Sequence, residues 1–307
     1  MKRIYIYILI IVCLFSGTSC SLIGNEDEIE PEKDLKTLYF ENYHLCESIF
    51  DNLNISMNFI LSTDETANNE LFIYYRNEKL PFKYVVYLYY VVEGEESKIP
   101  YLYELESAEK AREICTYYND YYRDSSMPKM LYKNNIIYYE NRISSIILGE
   151  YDKNIVDNNI LSLNNETLIA HISKSNILTI PDVKEIGANC FELNYYLTHV
   201  ITNNNLEKIG PGAFVNCYSL IKVELNDKLT YIGSFAFCYN DNLSYIVIPK
   251  SVEYIGYNAF SDTIVYCEAE SKPEGWDDEF YTLNAKVYYA GEWEYDYHGV
   301  PKPIKKI

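Results

Sequence analysis

Apolar residues recur with a period of 23 through the second half of the sequence. The two most regular columns are glycine, at Gly187, Gly210, Gly233 and Gly256, and phenylalanine, at Phe191, Phe214, Phe237 and Phe260. Isoleucine precedes each glycine, and alanine precedes three of the four phenylalanines, with Cys190 in the first copy. A Leu-x-x-Val-x-Leu pattern follows, as in Leu220, Val223 and Leu225. Several columns that stay in register over successive periods indicate an internal structural repeat.

Each repeat unit predicts one coil of a solenoid. In one unit, Val223 and Leu225 lie two residues apart, which places them on the same face of a short strand. Ala213 and Phe214 are expected to fill the interior from the opposite side. A single coil cannot bury its apolar face, so neighbouring coils should stack and share a core. The predicted fold is a short solenoid of about four coils, with parallel strands on one wall and irregular or short helical segments on the other.

The residues between the core positions of each strand are predicted to face outward. In successive coils they are Thr198, His199 and Ile201, then Ile221, Lys222 and Glu224, then Ser244, Tyr245 and Val247. We call these residues the ladder. Its apolar members would form a stripe across adjacent coils, and such stripes often mark interaction surfaces. The ladder is therefore a candidate protein-binding surface; the alternative is that a neighbouring domain covers it.

Residues 35–150 show a different pattern, in which helical and strand periods alternate. A common helical face formed by Leu38, Leu45, Ile49 and Leu53 predicts a helix over residues 35–54. Apolar spacings of three and four behind an N-cap at Ser107 predict a second helix over residues 107–122. Aromatic and β-branched residues predict strands at 71–76, 84–93, 135–142 and 145–151. This segment is therefore expected to be a small α+β domain, with helices against a short antiparallel sheet.

The N-terminus has the pattern of an export signal. Lys2 and Arg3 precede an apolar run, Ile4 to Phe15, which is too short to span a bilayer. Small residues then lead to Cys20 in an arrangement that resembles the bacterial lipobox, with Gly17 where an aliphatic residue is usual. We expect a signal peptide over residues 1–19 and lipidation of Cys20, whose two acyl chains would anchor the protein stably. Ordinary secretion is the alternative. The acidic residues 20–34 are predicted to form a solvated tether.

The charge and the cysteines exclude some classes of partner. The formal net charge is −19, which repels the phosphate backbone, so no nucleic-acid partner is expected. Apart from the lipid on Cys20, no membrane contact is expected, because no other segment is both long and apolar enough to span a bilayer. The cysteines of the folded segments are Cys46, Cys115, Cys190, Cys217, Cys238 and Cys267. They lack zinc-type spacing, and four lie in the repeats where a small apolar residue is wanted, so buried thiols are expected.

The order of the columns, Ile-Gly, then Ala-Phe, then Asn or Cys, then Leu and Ile-Pro-Val, resembles the BspA-like leucine-rich repeats of bacterial surface proteins. The resemblance covers residues from about 160 to 280. LIAHISKSNILTIPDVKEIG is similar to the first unit of such an array, and TIVYCEAESKPEGWDDEF to its closing segment, in which Trp276 would plug the open core. The fourth unit departs from the pattern, with Tyr266 where leucine is expected. The resemblance implies adhesion to host proteins or to other cells.

The sequence contains no arrangement that is typical of catalysis or cofactor binding. The histidines His44, His171, His199 and His298 do not pair at metal-ligand spacing, and nucleophile-elbow, Walker and dinucleotide-binding motifs are absent. The acidic run Trp276–Glu279 lacks the ligand spacing of a calcium loop. We therefore predict a protein that is not an enzyme and has no cofactor or metal. A ligand pocket or active site within residues 35–150 is the less favoured alternative.

These observations predict an extracytoplasmic protein in five segments. They are the signal peptide (1–19), the tether (20–34), the α+β domain (35–150), the leucine-rich-repeat domain (152–280) and a C-terminal cap or tail (281–307). The expected function is to bind a protein, from a host or from the surface of the same cell. The alternative is a structural role in envelope assembly.

Overall fold

The computed structural model describes residues 33–52, 57–63, 74–75, 78–79, 82–92, 95–121, 130–139, 141–153, 155, 157–282 and 284–305. The predicted signal peptide, Cys20 and nearly all of the predicted tether lie outside these residues. The chain divides into two compact units, with the boundary between Glu150 and Tyr151. Among the described residues, no helix combines the length and apolar character that crossing a membrane requires.

The first unit combines helices with an antiparallel sheet. Its helices are α1 (Leu35–Asn52), α2 (Ala108–Tyr121) and α3 (Arg142–Ile147). Its strands are β1 (Met57–Ser62), β2 (Tyr74–Tyr75), β3 (Glu78–Lys79), β4 (Tyr84–Val92), β5 (Glu95–Glu104), β6 (Met130–Lys133) and β7 (Ile136–Tyr139). The main sheet has the order β1-β4-β5-β7-β6 with antiparallel neighbours, and β2 pairs with β3. The predicted α+β architecture is confirmed.

Both predicted helices of this unit are present. Helix α2 begins after Ser107, whose Oγ accepts a hydrogen bond from the N–H of Lys110 at 3.2 Å, as an N-cap does. Its apolar face packs on the sheet in a cluster that includes Val85, Tyr103, Ala111, Ile114, Cys115 and Ile137. Helix α1 ends at Asn52, and Leu53 lies outside the described residues. The amphipathic spacing of the apolar residues was therefore sufficient to locate both helices.

The strand predicted over residues 145–151 is wrong, because helix α3 covers residues 145–147 and a turn follows at residues 148–149. Asn141 caps this helix: its Oδ1 accepts hydrogen bonds from the N–H groups of Ile143 and Ser144, each at 2.9 Å. Ile143, Ile146 and Ile147 are buried, and their spacing of three and four residues places them on one helical face. The preceding strand accordingly ends at Tyr139 rather than at residue 142. Of the strand predicted over residues 71–76, only Tyr74–Tyr75 lies among the described residues.

The second unit is a solenoid with strands on two walls. The front wall consists of β10 (Ile177–Thr179), β12 (His199–Ile201), β14 (Lys222–Glu224), β16 (Tyr245–Ile248), β19 (Ile264–Cys267) and β21 (Lys286–Tyr288). The back wall consists of β8 (Asn159–Leu161), β9 (Thr167–His171), β11 (Glu185–Ile186), β13 (Lys208–Ile209), β15 (Tyr231–Ile232) and β17 (Tyr254–Ile255). The remaining strands are β18 (Phe260–Ser261), β20 (Tyr281–Thr282), β22 (Trp293–Tyr295) and β23 (Pro301–Pro303).

The solenoid prediction is confirmed, but the second wall is not irregular or short helical as predicted: it is a sheet in which strands β9 to β17 run parallel and β8 pairs with β9 antiparallel. There the Ile-Gly columns form two-residue strands, such as Lys208-Ile209 beside Tyr231-Ile232. Neighbouring coils approach closely at the glycines, since a Cβ on Gly233 would lie 2.5 Å from the backbone nitrogen of Pro211. Such contacts to backbone atoms leave no room for a side chain, which explains why glycine recurs in this column.

The phenylalanine column runs through the core as a continuous stack. The ring centroids of Phe191 and Phe214 are 4.8 Å apart, those of Phe214 and Phe237 are 5.2 Å apart, and those of Phe237 and Phe260 are 5.7 Å apart. All of these rings are buried. Trp276 lies buried at the C-terminal end, where its Nε1–H donates to the carbonyl of Val252 at 3.1 Å. The predicted plugging of the core by Trp276 is confirmed.

Side chains form hydrogen bonds with backbone groups in the turns between the two walls. Asn194 Oδ1 accepts hydrogen bonds from the N–H groups of Tyr196 and Leu197, at 3.1 and 3.0 Å. In the next coil the equivalent residue is Cys217, whose buried thiol donates to the carbonyl of Phe191 at 3.0 Å. Burial raises the pKa of the Cys238 and Cys267 thiols to about 12. The expectation of buried thiols is confirmed at all six cysteines of the folded segments.

The fourth repeat unit, which contains Tyr266, differs from the prediction. Val265 pairs with Ile246 and Tyr266 pairs with Val247, so Tyr266 occupies an outward position of the front wall and not the leucine position. The connection from Phe260 to strand β19 is shorter than the corresponding connections in the earlier coils. Strand β19 therefore begins earlier in the sequence than the 23-residue period predicts. The estimate of about four coils is also low, because the front wall has six strands. The first and last coils lack the Ile-Gly and Ala-Phe columns from which the coils were counted.

Candidate protein-binding surface

The strand register brings the ladder residues into columns. His199 pairs with Lys222, and Ile201 with Glu224, in the parallel strands β12 and β14. Val200 and Val223, which lie between these positions, belong to the core. The alternation places the two columns on the outer face of the front wall. The pairing thus places four of the nine ladder residues, His199, Ile201, Lys222 and Glu224, on that face.

Strand β10 extends both columns by one residue that the sequence analysis missed. Ile177 pairs with His199 and Thr179 with Ile201. The segment Ile177–Pro181 reads ILTIP, and the Ile-Pro pair at its end matches the Ile-Pro pair that ends β16. Aligning the chain on this pair instead of on glycine and phenylalanine would have identified the strand.

The N-terminal half of the front wall presents an exposed aliphatic surface. The exposed fractions are 55% for Ile177, 38% for Ile201 and 51% for Ile221. These three isoleucines come from three successive coils, and we call them the isoleucine patch. Isolated exposed isoleucines are common, whereas a group of them in successive coils is typical of contact surfaces.

The polar ladder residues around the isoleucine patch are held in place by local partners. Lys222 Nζ lies 2.6 Å from Glu224 Oε1, and this hydrogen bond raises the pKa of Lys222 above its ordinary value. Thr198 Oγ1 donates to the carbonyl of Asn176 at 2.7 Å and lies 2.9 Å from Nδ1 of His199. The charges of Lys222 and Glu224 largely offset each other. The patch is therefore an apolar surface with a nearly neutral, ordered polar border.

The front wall is interrupted part-way along. Its strands form two three-stranded sheets, β10-β12-β14 and β16-β19-β21, and the break lies between β14 and β16. Thr198, His199, Ile201, Ile221, Lys222 and Glu224 thus belong to the first half, and Ser244, Tyr245 and Val247 to the second. The nine ladder residues therefore do not belong to one hydrogen-bonded sheet.

Aromatic residues dominate the second half. The ring of Tyr266 lies 6.2 Å from Tyr245 and 5.6 Å from Tyr288, against which it is stacked. Trp293, from the C-terminal segment, lies 5.3 Å from Tyr266. Because of this cover only 2% of Tyr266 is exposed, although it lies in an outward column. Tyr245 and Val247 are half-buried. The open part of the face is thus its N-terminal half.

In the described part of the chain, no group of three or more His, Cys, Asp or Glu side chains could hold a metal ion. His199 and His171 lie in the solenoid at separate places, one on the front wall and one on the back wall. The acidic run Trp276–Glu279 closes the core end, and Asp278 pairs with Lys272.

Comparison with protein families adds a decisive observation. The family described as BspA type leucine-rich repeat region matches residues 164–267, in six copies. Residues 164–267 are BspA-type leucine-rich repeats. The match covers the back-wall and front-wall strands from β9 to β19. The α+β unit, which ends at Glu150, lies outside the matched residues. The leucine-rich-repeat resemblance inferred from the columns is confirmed for this region, and proteins built from such repeats typically act in interactions with other proteins.

Solved structures resemble the chain locally. The pneumococcal vaccine antigen PcpA is 20% identical, with a TM-score of 0.38, over 45% of this chain and 42% of its own. A leucine-rich cell surface protein from Faecalibacterium prausnitzii is 25% identical, with a TM-score of 0.39, over 46% of this chain and 40% of its own. A leucine-rich repeat protein from Bacteroides capillosus is 26% identical, with a TM-score of 0.34, over 46% of this chain and 99% of its own. The chain thus spans about two fifths of the first two proteins. Comparison with curated proteins gives no match.

Proposed function

We propose that this protein is an extracytoplasmic, lipid-anchored, non-enzymatic leucine-rich-repeat protein that binds another protein through the front wall of its solenoid. The observation that carries the proposal is the isoleucine patch: Ile177 and Ile201 are exposed on the adjacent parallel strands β10 and β12, and Ile221 is exposed directly before β14. Covering such side chains removes apolar area from water, worth about 25 cal/mol per Å² before the costs of association. The surrounding ladder residues supply hydrogen bonds that fix the orientation of the partner.

The partner is a protein of a host or of the surface of the same cell, and in the first case the binding constitutes adhesion. Two features support this choice of class. The isoleucine patch suits an apolar protein surface, and the net charge of −19 opposes binding to nucleic acid. A partner from the same cell would indicate the alternative role, a scaffold in envelope assembly.

Binding is tested with variants of the isoleucine patch. The double variant Ile201→Asp, Ile221→Asp places charges in the patch, and Leu163→Asp is the matched control, because Leu163 is 67% exposed but lies outside the front wall. A partner is first captured from host and same-species surface extracts, then purified and titrated against each chain by calorimetry. We expect the double variant to bind at least about tenfold more weakly, which corresponds to about 1.4 kcal/mol, and the control to bind as the wild type does. Equal affinity of all three chains would overturn the proposal.

Anchoring is a separate part of the proposal and rests on the sequence around Cys20. Cells that express the chain are grown with a labelled fatty acid, and Cys20→Ala is the control. We expect label on the wild type and none on the variant, and release of the variant from the membrane fraction. An unlabelled wild type recovered in the medium would support secretion instead.

A further inference from the structure

We propose that strand β10, at the N-terminal end of the front wall, accepts an extended segment of the partner protein as one further parallel strand, with an aliphatic side chain at its inward position. The proposal rests on the proposed function and specifies the form in which the partner binds. It goes beyond side-chain contact with the isoleucine patch, because the main chain of β10 supplies hydrogen bonds. We call the side of β10 that faces away from β12 the open edge.

Strand β10 is the terminal strand of its sheet. The sheet has the order β10-β12-β14, so among the described residues β10 has a strand neighbour on one side alone. The back wall is closed at the same end of the solenoid, because β8 pairs there with β9 in the antiparallel direction. In the described part of the chain, the front wall has no corresponding closing strand. The N–H and C=O groups along the outer side of such a strand are a template for pairing with another chain.

The hydrogen bonds to β12 determine which backbone groups of β10 point toward the open edge. The carbonyl of Asn176 accepts from an N–H of β12 at 3.0 Å, and the N–H of Ile180 donates to a carbonyl of β12 at 2.9 Å. Backbone groups of successive residues alternate between the two sides of a strand, so Ile177 and Thr179 direct theirs toward the open edge. The carbonyl of Ile177 accepts from Ser175 Oγ at 2.7 Å and retains a second lone pair for another donor.

The core of the front wall is partly open at the same strand. Leu178 is the inward residue of β10 and is in register with Val200 of β12. Val200 is 1% exposed, whereas Leu178 is only partly buried against the core. An aliphatic side chain on an added strand would lie against Leu178 in the same register and remove its exposed area from water, which favours association. The open edge thus selects for an apolar residue at one defined position.

The outward side chains of β10 also allow a neighbouring strand. Ile177 and Thr179 are both exposed, and the strand contains neither a charged residue nor proline, with which edge strands are usually protected from pairing. An added strand would therefore bury no charge of β10. Because Ile177 also belongs to the isoleucine patch, a partner that covers the patch reaches the open edge as well.

The charge of the chain favours a segment of a different protein over a second copy. Two copies with a net charge of −19 repel each other. In strand addition the main-chain hydrogen bonds supply affinity, and alternate side chains supply specificity. The expected ligand is therefore an extended segment without acidic residues. Residues 174–181 of the chain, KSNILTIP, are a suitable probe, because an added strand would be placed relative to β10 as β10 is placed relative to β12.

The first test titrates a fluorescently labelled KSNILTIP peptide against the full chain by anisotropy. Methylation of the leucine nitrogen removes a donor that would face β10, whereas the threonine nitrogen would lie on the far side, so its methylation is the matched control. We expect the leucine-methylated peptide to bind at least about tenfold more weakly than the unmodified peptide, and the threonine-methylated peptide to bind equally well. Absence of saturable binding at millimolar peptide, or equal weakening by both methyl groups, would overturn the proposal. The reverse order of the two peptides would overturn the parallel orientation.

The second test uses variants of the chain. Thr179→Pro removes one N–H from the open edge and places a ring there, yet it leaves the hydrogen bonds to β12 in place. We expect Thr179→Pro to bind the unmodified peptide at least about tenfold more weakly, and the control Thr179→Val, which keeps the N–H, to bind as the wild type does. Bound peptide should also slow amide hydrogen exchange at Ile177 and Thr179 of the wild type. Unchanged exchange, or equal affinity of Thr179→Pro and wild type, would contradict strand addition.

Sedimentation of the wild type and Thr179→Pro tests the choice of occupant. Both chains are expected to be monomers without the peptide. A wild-type dimer that Thr179→Pro dissociates would assign the open edge to a second copy and overturn the choice of a partner protein. The peptide assays involve no partner protein. Their failure therefore overturns the strand-addition proposal alone, whereas failure of the isoleucine-patch variants overturns the proposed function.

Discussion

The carboxylate of Glu104 accepts a hydrogen bond from the backbone N–H of Leu35, at 2.8 Å, across 69 residues of sequence. The acceptor lies at the end of strand β5 and the donor at the first residue of helix α1. The second oxygen of Glu104 lies 3.0 Å from Lys83 Nζ and 3.3 Å from Asn135 Nδ2. A buried carboxylate at the positive end of a helix thus ties α1 to the sheet.

Glu104→Ala should destabilise the first unit by about 2 kcal/mol, because the buried N–H of Leu35 loses its acceptor. Lys83→Ala should cost less than about 1 kcal/mol, since Lys83 is half exposed and its charge is screened by water. Urea unfolding of the full chain, followed by circular dichroism, measures both. A larger effect for Lys83→Ala than for Glu104→Ala would contradict this assignment.

Phe214→Ala should destabilise the solenoid by about 3–5 kcal/mol, because Phe214 contacts two other rings of the stack and its removal leaves a cavity. The matched control is Phe40→Ala on helix α1, where the side chain is 58% exposed, and it should change stability by less than about 0.5 kcal/mol. Thermal unfolding of the two variants separates them. Similar losses would show that Phe214 does not act through core packing.

Two asparagines in one column of the repeat should respond in opposite ways. Asn194→Ala removes an acceptor of two N–H groups and should cost about 1–2 kcal/mol. Neither side-chain oxygen nor nitrogen of Asn240 has a hydrogen-bond partner among the described residues, and both are buried. Asn240→Thr, which copies Thr263 in the next coil, should therefore be neutral or stabilising. Denaturant midpoints of the two variants give the comparison, and a loss at Asn240 equal to that at Asn194 would refute it.

The N-terminal end of the solenoid should weaken at mildly acidic pH. His171 is buried, with Nδ1 2.8 Å from Asn159 Oδ1 and Nε2 2.7 Å from Ser173 Oγ, and burial lowers its pKa below the ordinary 6.5. Folding therefore favours the neutral ring. Its contribution to stability is complete above the ordinary pKa and falls as the pH drops below about 6.5.

Melting temperatures measured between pH 7.5 and 5 test this expectation. The wild type should lose stability over this interval, and His171→Gln should lose less of it. His298→Gln is the control, because His298 is exposed in the turn between β22 and β23. A pH dependence that survives unchanged in His171→Gln would assign the effect to other groups.

The repeat architecture was predictable because its causes are local. The phenylalanine and glycine columns recur in sequence for the same reason that they stack in space, and Ser107 caps its helix within one turn. Residues 145–151 were misjudged because Ile146 and Ile147 fit either a strand or a short buried helix, and the cap at Asn141 decided between them. The cover over Tyr266 was not predictable. It depends on where Trp293 returns in space, and no sequence period encodes that contact.

The interruption of the front wall between β14 and β16 has a mechanical consequence. Backbone pairing runs without a break along the back wall from β9 to β17, while on the front wall it stops once. A load that pulls the two ends of the array apart would therefore part the front wall at this place first, with the back wall acting as the spine. The isoleucine patch lies on one side of this line, and Tyr245, Tyr266 and Tyr288 lie on the other. A partner that spans both would bridge the interruption and resist its opening.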